Sequence, residues 1–260
     1  MRELLNRLVR RRALQPFWQA LHGISLVSMN FWANRLRSTG EHEAVRYAAR
    51  KLPRAPRPII FDVGANVGEF SELCCATFHE PDVYAFEPSL ATFDILNNNL
   101  ARANANVSTH RLGFSDEPRD AQLYSSEPGS TIASVHQLER PIRPFHDRFT
   151  EIIKLATIDD FCRERGIDRI DYLKLDIEGH EYHALVGAHG LLSAGAIRFI
   201  QFEFGENNVS SRTYLNDFIK LLGDRYDFYR IVPGGLVPWR YRGGRSEIFA
   251  TMNYLCERRD

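Results

Sequence analysis

The feature that most constrains the fold is a regular alternation, from Pro58 onward, of short apolar runs with amphipathic segments of helical length. Parallel strands require long crossover connections, which are usually helices, so this order predicts an α/β fold with a doubly wound, mostly parallel sheet. Helices are expected on both faces of that sheet. The runs that we assign to its strands are PIIFDVGA, DVYAFEP, NVSTHRLGF, IDYLKLDIE and IRFIQFEFG.

Two parts of the chain depart from this simple order. Residues 117–150 carry four prolines among short polar and β-prone pieces, which predicts a hairpin or loop excursion. Long excursions in α/β enzymes often cover the site, so we expect this one to lie over the ligand. The alternation resumes with EIIKLATI, and the chain ends in FYRIVP and SEIFATM, which we predict to form an antiparallel closing pair of strands.

Residues 1–52 are predicted to form a helical extension ahead of the main domain, residues 53–260, with the proline-rich PRAPRP segment at the boundary. Within the extension, apolar residues recur at helical intervals over residues 17–33, and we expect this stripe to dock on the body of the protein. The stretch is too short and too polar to span a membrane. The stripe consists of Phe17, Ala20, Ile24, Val27 and Phe31.

A basic cluster precedes this stripe on a short predicted helix. Such a cluster can contact an anionic membrane surface or a phosphorylated substrate, or it can form an ordinary solvated face. A peripheral membrane contact is therefore one interpretation of this end of the chain. The cluster consists of Arg2, Arg7, Arg10, Arg11 and Arg12.

The composition limits the partners and the compartment. Lysine plus arginine and aspartate plus glutamate both total 33, so no overall positive field attracts nucleic acid, and we expect no nucleic-acid partner. Four cysteines form neither a disulfide framework nor a CxxC metal spacing. This favours a reducing compartment, and we predict a cytoplasmic protein.

Ligands of open α/β sheets bind at the carboxyl ends of the strands, where a glycine-containing loop follows the first strand here. Against the dinucleotide fingerprint GxGxxG, Gly64 fits, but Asn66 and Glu69 occupy the second and third glycine positions. The carboxylate disfavours a phosphate-bearing cofactor and favours a cationic, phosphate-free nucleoside such as S-adenosylmethionine. A nicotinamide-dependent oxidoreductase or epimerase is the alternative. The candidate cofactor residues of this loop are Asp62, Gly64, Asn66 and Gly68.

The ends of the second and third strands supply further candidates for the cofactor. Glu87 follows Gly68 by 19 positions, the interval at which an acidic residue binds the ribose hydroxyls of a nucleoside. The third strand ends in Phe114, Ser115 and Asp116, where an adenine ring would lie. We expect Phe114 to pack on that ring and the other two to meet its edge, with a plain turn as the alternative for them.

Carboxylates also follow the fourth and fifth strands. Asp176, Glu178 and Glu203 stand among apolar neighbours, and buried carboxylates are costly unless they are paired or bound to a cation. We take these three as candidate catalytic residues, with helix capping as the alternative for the first two. Magnesium or manganese suits such oxygen ligands, but the sequence has no dedicated metal signature. We interpret His180 and His183 as surface or helix-capping residues.

Several of these segments together resemble one family. FDVGANVGEFS, YAFEPS, TIDDF, YLKLDIEGHE, LVGAHGLL and FIQFEFGE are similar, in order and interval, to the FkbM family of S-adenosylmethionine-dependent methyltransferases, over roughly residues 38–205. The resemblance implies that Asp62, Gly64, Asn66 and Gly68 form the cofactor loop and that Glu87 holds the ribose. It also places Asp176, Glu178 and Glu181 in the acidic motif after the fourth strand.

The resemblance implies O-methylation of a hydroxyl on a sugar, a glycan precursor or a secondary metabolite, so that the partner is a small-molecule or glycan acceptor. On this hypothesis Asp176 is the base or a metal ligand, and Glu178 and Glu203 orient the acceptor or the cation. Residues 117–150 and 239–242 are expected to recognise the acceptor. A noncatalytic nucleoside-binding or membrane-surface scaffold is the alternative of another class.

Overall fold

The computed structural model describes residues 9–32, 39–53, 56–103, 105–130, 132–137 and 149–260. The strands are β1 (Ile59–Val63), β2 (Asp82–Phe86), β3 (Val107–His110), β4 (Gly113–Phe114), β5 (Arg119–Ser125), β6 (Ala133–Ser134), β7 (Phe149–Ala156), β8 (Ile170–Leu175), β9 (Ile197–Phe204), β10 (Tyr226–Val232), β11 (Gly235–Trp239) and β12 (Met252–Arg258). The α-helices are α1 (Gln15–Ser28), α2 (Glu41–Lys51), α3 (Glu69–Thr77), α4 (Leu90–Arg102), α5 (Ile158–Arg165), α6 (Glu181–Val186), α7 (His189–Ser193), α8 (Asn207–Ser211) and α9 (Leu215–Leu222).

The central sheet has eight strands in the order β11-β10-β12-β9-β8-β1-β2-β3. The five strands from β9 to β3 are parallel, whereas β12 runs antiparallel to both of its neighbours. The side chains of alternate residues of β1 point to opposite faces of the sheet. Phe61 packs with α5 on one face, and Ile60 packs with α2 and α3 on the other. The predicted doubly wound α/β fold with an antiparallel closing strand is confirmed. The strand order reverses between β1 and β8, which is where such sheets bind ligands.

A second, four-stranded sheet has the order β4-β7-β5-β6. It contains the end of the predicted third strand, which breaks at Leu112, and it also contains EIIKLATI, which we expected to continue the main alternation. The reason is visible in β7, whose residues alternate between buried and exposed as in a strand with one solvated face. The predicted excursion of residues 117–150 is therefore part of a small sheet, and its residues 131 and 138–148 lie outside the described part of the chain.

The prediction for the carboxyl-terminal strands is wrong in part. SEIFATM forms no strand apart from its last residue, and the closing strand is β12, which begins at Met252. Six of the seven residues of β12 are buried, because it lies between β9 and β10. The partner of β10 at the sheet edge is β11, reached through a turn at Gly234. Trp239 ends β11 and packs on Tyr254 at a ring-centroid distance of 5.2 Å, away from the ligand-binding edge.

Helix α1 does not dock its apolar stripe as predicted. Phe17, Ile24 and Val27 are 57, 63 and 64% exposed, whereas Leu26 on the opposite side of the helix is buried. The four stripe residues inside α1 therefore face away from the body, whereas Phe31, the last residue of the stripe, lies beyond the helix and is buried together with Leu26. No helix among the described residues is both long enough and apolar enough to cross a membrane.

Helix α2 packs against the same face of the sheet as the side chain of Ile60. Ala44, Val45 and Ala48 are fully buried there, so this part of the predicted extension belongs to the core. Their burial places Glu41, the first residue of α2, beside the carboxyl ends of the central strands.

Candidate active site

A cavity of about 1020 Å³ lies at the carboxyl ends of the central strands, at the point where the strand order reverses. Loops after β1, β2, β8 and β9 form its floor, and the small sheet covers it with apolar side chains. This volume suits a ligand of nucleoside size together with part of a second molecule. The apolar cover consists of Leu123, Ile132, Val135, Ile153 and Leu155.

The two glycines of the loop after β1 have positive φ angles, +81° at Gly64 and +96° at Gly68. A Cβ atom at Gly64 would collide with the backbone carbonyl of Asp176, and one at Gly68 would lie 3.0 Å from the Leu96 side chain. Gly64 thus brings the loops after β1 and β8 into contact, and Gly68 seats this loop on α4.

Glu87 is the buried carboxylate at the end of β2. Its two oxygens accept hydrogen bonds from the backbone N–H of Asn66, at 3.1 Å, and of Ser89, at 3.0 Å. Burial raises the pKa of Glu87 to about 7, although these two hydrogen bonds act in the opposite direction. A carboxylate oxygen has more than one acceptor site, so Glu87 can still accept from hydroxyls of a ligand in the cavity.

Lys174 lines the cavity, and the sequence analysis did not select it. It lies inside β8 with its Nζ 3.1 Å from Asp176 Oδ2 and 3.6 Å from Asp62 Oδ1. Ser71 donates a hydrogen bond of 2.7 Å to the other oxygen of Asp62. Asp62 is fully buried, so it serves as an internal partner of Lys174 beneath the cavity. The available signal was a lysine in the middle of the otherwise apolar run YLKL.

The cavity has a strongly acidic floor. Glu203 and Asp176 line it together with Glu41, which α2 contributes and which the sequence analysis missed. Burial raises the pKa of Glu41, and burial with the nearby charges of Asp176 and Glu178 raises the pKa of Glu203 well above its usual range. Lys174 is the one lysine or arginine among the described residues that line the cavity. A cationic ligand is therefore favoured on electrostatic grounds.

Glu178 lies at the rim of the cavity in a left-handed conformation with φ +55°. Its carboxylate accepts a hydrogen bond from Asn207 Nδ2, and its backbone carbonyl accepts one of 2.8 Å from Ser134 of the small sheet. Glu181 turns inward and accepts from two backbone N–H groups of its own loop, those of Ile177 and Gly179. The loop after β8 therefore connects α8, the small sheet and the cavity.

Among the predicted adenine contacts, only Phe114 lines the cavity. Ser115 is fully buried and donates a hydrogen bond of 2.7 Å to Asp116, which Arg119 also contacts at 3.0 Å. These hydrogen bonds, despite partial burial, lower the pKa of Asp116 to about 2. The edge contacts expected of Ser115 and Asp116 with a ligand stay predictions, since both side chains have protein partners.

The residues that form the floor of the cavity lie largely within a region that matches a known protein family. The profile described as the methyltransferase FkbM domain matches residues 62–228, which include the loop after β1, Glu87 and the acidic strand ends. The chain belongs to the FkbM methyltransferase family. The match extends through Tyr226 into β10, further than the motifs that carried the resemblance.

Curated members of related function resemble the chain at moderate identity. The hexuronic acid methyltransferase AglP of Haloferax volcanii is 26% identical over 64% of this chain and 64% of its own length. The 31-O-demethyl-FK506 methyltransferase FkbM of Streptomyces tacrolimicus is 27% identical over 54% of this chain and 63% of its own length. The chain thus spans somewhat less than two thirds of the length of these relatives. A solved putative O-methyltransferase from Klebsiella pneumoniae superposes with a TM-score of 0.48 at 10% identity, covering 90% of this chain and 86% of that one.

This FkbM-family chain also carries a cluster of three histidines next to the cavity, formed by His136, His180 and His183. His180 is buried, and its side chain does not cap α6, so the predicted surface or capping role is wrong for this residue. Burial lowers the pKa of all three imidazoles, to about 4 for His136 and about 2 for His180. Sequence patterns could not identify the cluster because His136 is 44 positions from its partner His180.

Proposed function

We propose that the chain is an S-adenosylmethionine-dependent O-methyltransferase that acts on a hydroxyl group of a sugar, a glycan precursor or a secondary metabolite. The observation that carries the proposal is Glu87, a buried carboxylate with spare acceptor sites at the end of β2, beside an acidic cavity in an FkbM-family chain. The names of the two relatives support the acceptor class, since one is a hexuronic acid methyltransferase and the other a 31-O-demethyl-FK506 methyltransferase.

The residues present fit the cofactor. Glu87 would accept the ribose hydroxyls, and Phe114 offers an apolar wall for the adenine ring. The backbone of residues 64–67 would lie along the nucleoside, because the loop between β1 and α3 faces the cavity. Asp176, Glu203 and Glu41 line the cavity with carboxyl oxygens, which can accept hydrogen bonds from the ammonium group of the cofactor. S-adenosylmethionine, when bound, supplies an electrophilic methyl group.

The chain's own contribution is to hold the acceptor in line and to take its proton. Asp176 lies at the cavity surface with its side chain 34% exposed, and Lys174 Nζ lies 3.1 Å from its Oδ2 atom. It can therefore accept the proton of an acceptor hydroxyl during attack. Glu203 lines the same cavity, where its carboxyl group can form a hydrogen bond that orients the acceptor. The apolar side chains of the small sheet limit water at this place.

Binding and turnover test the proposal directly. The purified chain is titrated calorimetrically with S-adenosylmethionine, S-adenosylhomocysteine and NADH, with and without magnesium or manganese, and transfer of labelled methyl is then followed on hexuronic acids, their glycosides and hydroxylated macrolides. We expect the two adenosyl compounds to bind and NADH not to bind. Preferred binding of NADH would contradict the proposal, and so would cofactor binding without transfer to any hydroxyl acceptor.

The Glu87→Gln variant should bind S-adenosylhomocysteine about 100-fold more weakly, since two hydrogen bonds to a charged acceptor contribute about 1.5 kcal/mol or more each. Ribose hydroxyls donate to the ionised carboxylate, whose pKa in the free protein is about 7. Wild-type affinity should therefore fall roughly tenfold from pH 8 to pH 6, and this dependence should be absent from the variant. The exposed Glu80→Gln variant is the control. Equal affinities for wild type and Glu87→Gln at pH 8 would remove Glu87 from the site.

We also propose that α1 contacts an anionic membrane surface. Its exposed apolar side, formed by Phe17, Leu21 and Ile24, directly follows Arg10, Arg11 and Arg12, a combination typical of helices that lie in the interface. Arg2 and Arg7, the other arginines of this basic cluster, lie outside the described residues. Such a contact would bring the enzyme to a lipid-linked acceptor.

Co-sedimentation with vesicles tests this contact. The wild-type chain should bind phosphatidylglycerol vesicles better than phosphatidylcholine vesicles, and Phe17→Ser/Ile24→Ser should weaken binding at least about tenfold, because each side chain buries apolar area in the interface. Ile152→Ser, which changes an apolar residue that is 69% exposed on β7, is the matched control. Equal sedimentation of all three proteins, or self-association through α1 without vesicle binding, would overturn the membrane contact.

A further inference from the structure

Three imidazoles meet at the edge of the cavity where the small sheet touches the loop after β8. Nitrogen atoms of His136, His180 and His183 all lie within 4.8 Å of one another. His180 and His183 are three residues apart at the start of α6, so they share one face of the helix, and His136 approaches from the chain that follows β6. Zinc–nitrogen bonds of about 2.0–2.1 Å in a tetrahedral site place two nitrogens about 3.4 Å apart, so the nitrogens must approach one another by at most about 1.4 Å to bind one ion.

The hydrogen bonds around His180 direct a lone pair into this cluster. Ser115 Oγ donates to Asp116 and lies 2.9 Å from His180 Nε2, so it must accept the proton on that nitrogen. The Nδ1 atom of His180 is then the acceptor, and His136 Nε2 donates to it at 2.9 Å. A partner that accepts the second ring N–H of a histidine is the usual outer support of a metal ligand. Here that partner is the Ser115–Asp116 pair.

His183 provides the second indication of a missing ligand. Its Nδ1 atom is buried and has no hydrogen-bond partner among the described residues. Its ring stacks on that of His180 with centroids 4.5 Å apart and an angle of 9° between the planes. Leaving a buried polar atom unsatisfied has a cost of about 1–3 kcal/mol, which a bound ion at this place would relieve.

We propose that His136, His180 and His183 bind one divalent transition-metal ion of the zinc type, which ties the small sheet to the loop after β8. Neutral imidazoles suit zinc, copper or nickel better than magnesium or calcium, so this is a different site from an oxygen-ligand site at Asp176 and Glu203. Upon binding, His136 shifts its proton from Nε2 to Nδ1, and the chain releases no net proton. Water completes the coordination.

The charges around the cluster are mixed. Asp116 attracts a cation toward His183, whereas Arg119 repels it from all three rings. Arg119 is held 3.0 Å from Asp116 and 3.6 Å from Glu117, so these two carboxylates offset its charge. The position of the proposed metal site also links it to the cover of the cavity. Ser134 is hydrogen-bonded to Glu178 just beside it, so the metal would fix the cover of the cavity to the loop that carries Asp176 and Glu178.

Metal titration of the chain tests the site without reference to methyl transfer. Cobalt(II) is added to the chelator-treated protein and followed by its visible absorption, and zinc(II) is then used to displace it. We expect one ion per chain. His136→Gln and His183→Gln should each weaken binding more than about 100-fold and Ser115→Ala about 10- to 100-fold, since even outer-shell partners contribute that much. His189→Gln, which changes an exposed histidine, should have no effect.

Nuclear magnetic resonance of the histidine rings in the wild-type chain tests the metal site even if a variant fails to fold. Zinc should shift the ring-nitrogen resonances of three histidines and leave those of the other histidines in place. Absence of stoichiometric binding by the wild-type chain would overturn the site, as would binding that persists in both His136→Gln and His183→Gln. Failure of the methyltransferase proposal would instead appear as absent cofactor binding, which this experiment does not measure.

Discussion

An Asp176→Asn variant is expected to bind S-adenosylmethionine with nearly unchanged affinity and to transfer its methyl group at least about 100-fold more slowly, the usual contribution of a positioned base. The amide keeps an oxygen toward Lys174 Nζ, now 3.1 Å from Asp176 Oδ2, but it cannot take a proton from the acceptor. The loss should therefore appear in kcat. Cofactor affinity from calorimetry and methyl transfer at saturating acceptor are the two measurements.

Asp168→Asn is the matched control for this experiment, because the Asp168 side chain is 89% exposed and lies away from the cavity. It should retain wild-type turnover. If Asp176→Asn retains wild-type turnover as well, Asp176 is not the base. If it loses cofactor binding in proportion to turnover, its role is electrostatic attraction of the cationic cofactor and not proton transfer.

A Lys174→Met variant is expected to lower the free energy of unfolding by about 3–5 kcal/mol, the usual effect of removing one partner from a buried charged pair. Methionine fills much of the space beside Phe70, whose ring lies 5.0 Å from Lys174 Nζ. It leaves Asp62, which is fully buried, with Ser71 as its remaining side-chain donor. Urea denaturation followed by circular dichroism measures the difference.

The pH dependence of this loss has a definite sign. Burial already raises the pKa of Asp62 above its usual value, and removal of Lys174 raises it further. A carboxyl group whose pKa is higher in the folded than in the unfolded chain makes stability fall as the pH rises, so the deficit of the variant should grow from pH 5 to pH 8. The double variant Asp62→Asn/Lys174→Met should recover part of the loss. If the free energy of unfolding of Lys174→Met lies less than about 1 kcal/mol below that of the wild type at pH 8, burial of Asp62 does not require Lys174 as a partner.

The sequence predicts the central sheet and the edge that carries the site, because the carboxyl ends of parallel strands lie together at one edge of the sheet. Gly64, Glu87, Asp176 and Glu203 could be located on this basis alone, and all four line the cavity. Lys174 was missed for a related reason. A lysine inside an apolar run interrupts the pattern that identifies the strand, and its partners, Asp62 and Asp176, become visible only when β1 and β8 are paired.

Other features depend on contacts between distant segments. The exposed side of α1 has the same periodicity as a docked helix, and only the burial of Leu26 on the opposite side reveals its orientation. The closing strand is β12 and not the predicted SEIFATM, because a strand that lies between β9 and β10 is buried along most of its length. The histidine cluster joins His136, from the segment after β6, to His180 and His183 at the start of α6, and no local pattern relates these two segments.

The contact of Gly64 with the carbonyl of Asp176 has a mechanical consequence. Since no side chain separates the two loops, the turn that receives the nucleoside and the turn that carries the proposed base cannot shift past one another. A nucleoside that settles against the first turn also fixes the second, which reduces the freedom that the acceptor must remove when it arrives. On the proposed function, we therefore expect the methyl donor to bind first and the hydroxyl compound to meet a turn that is already fixed.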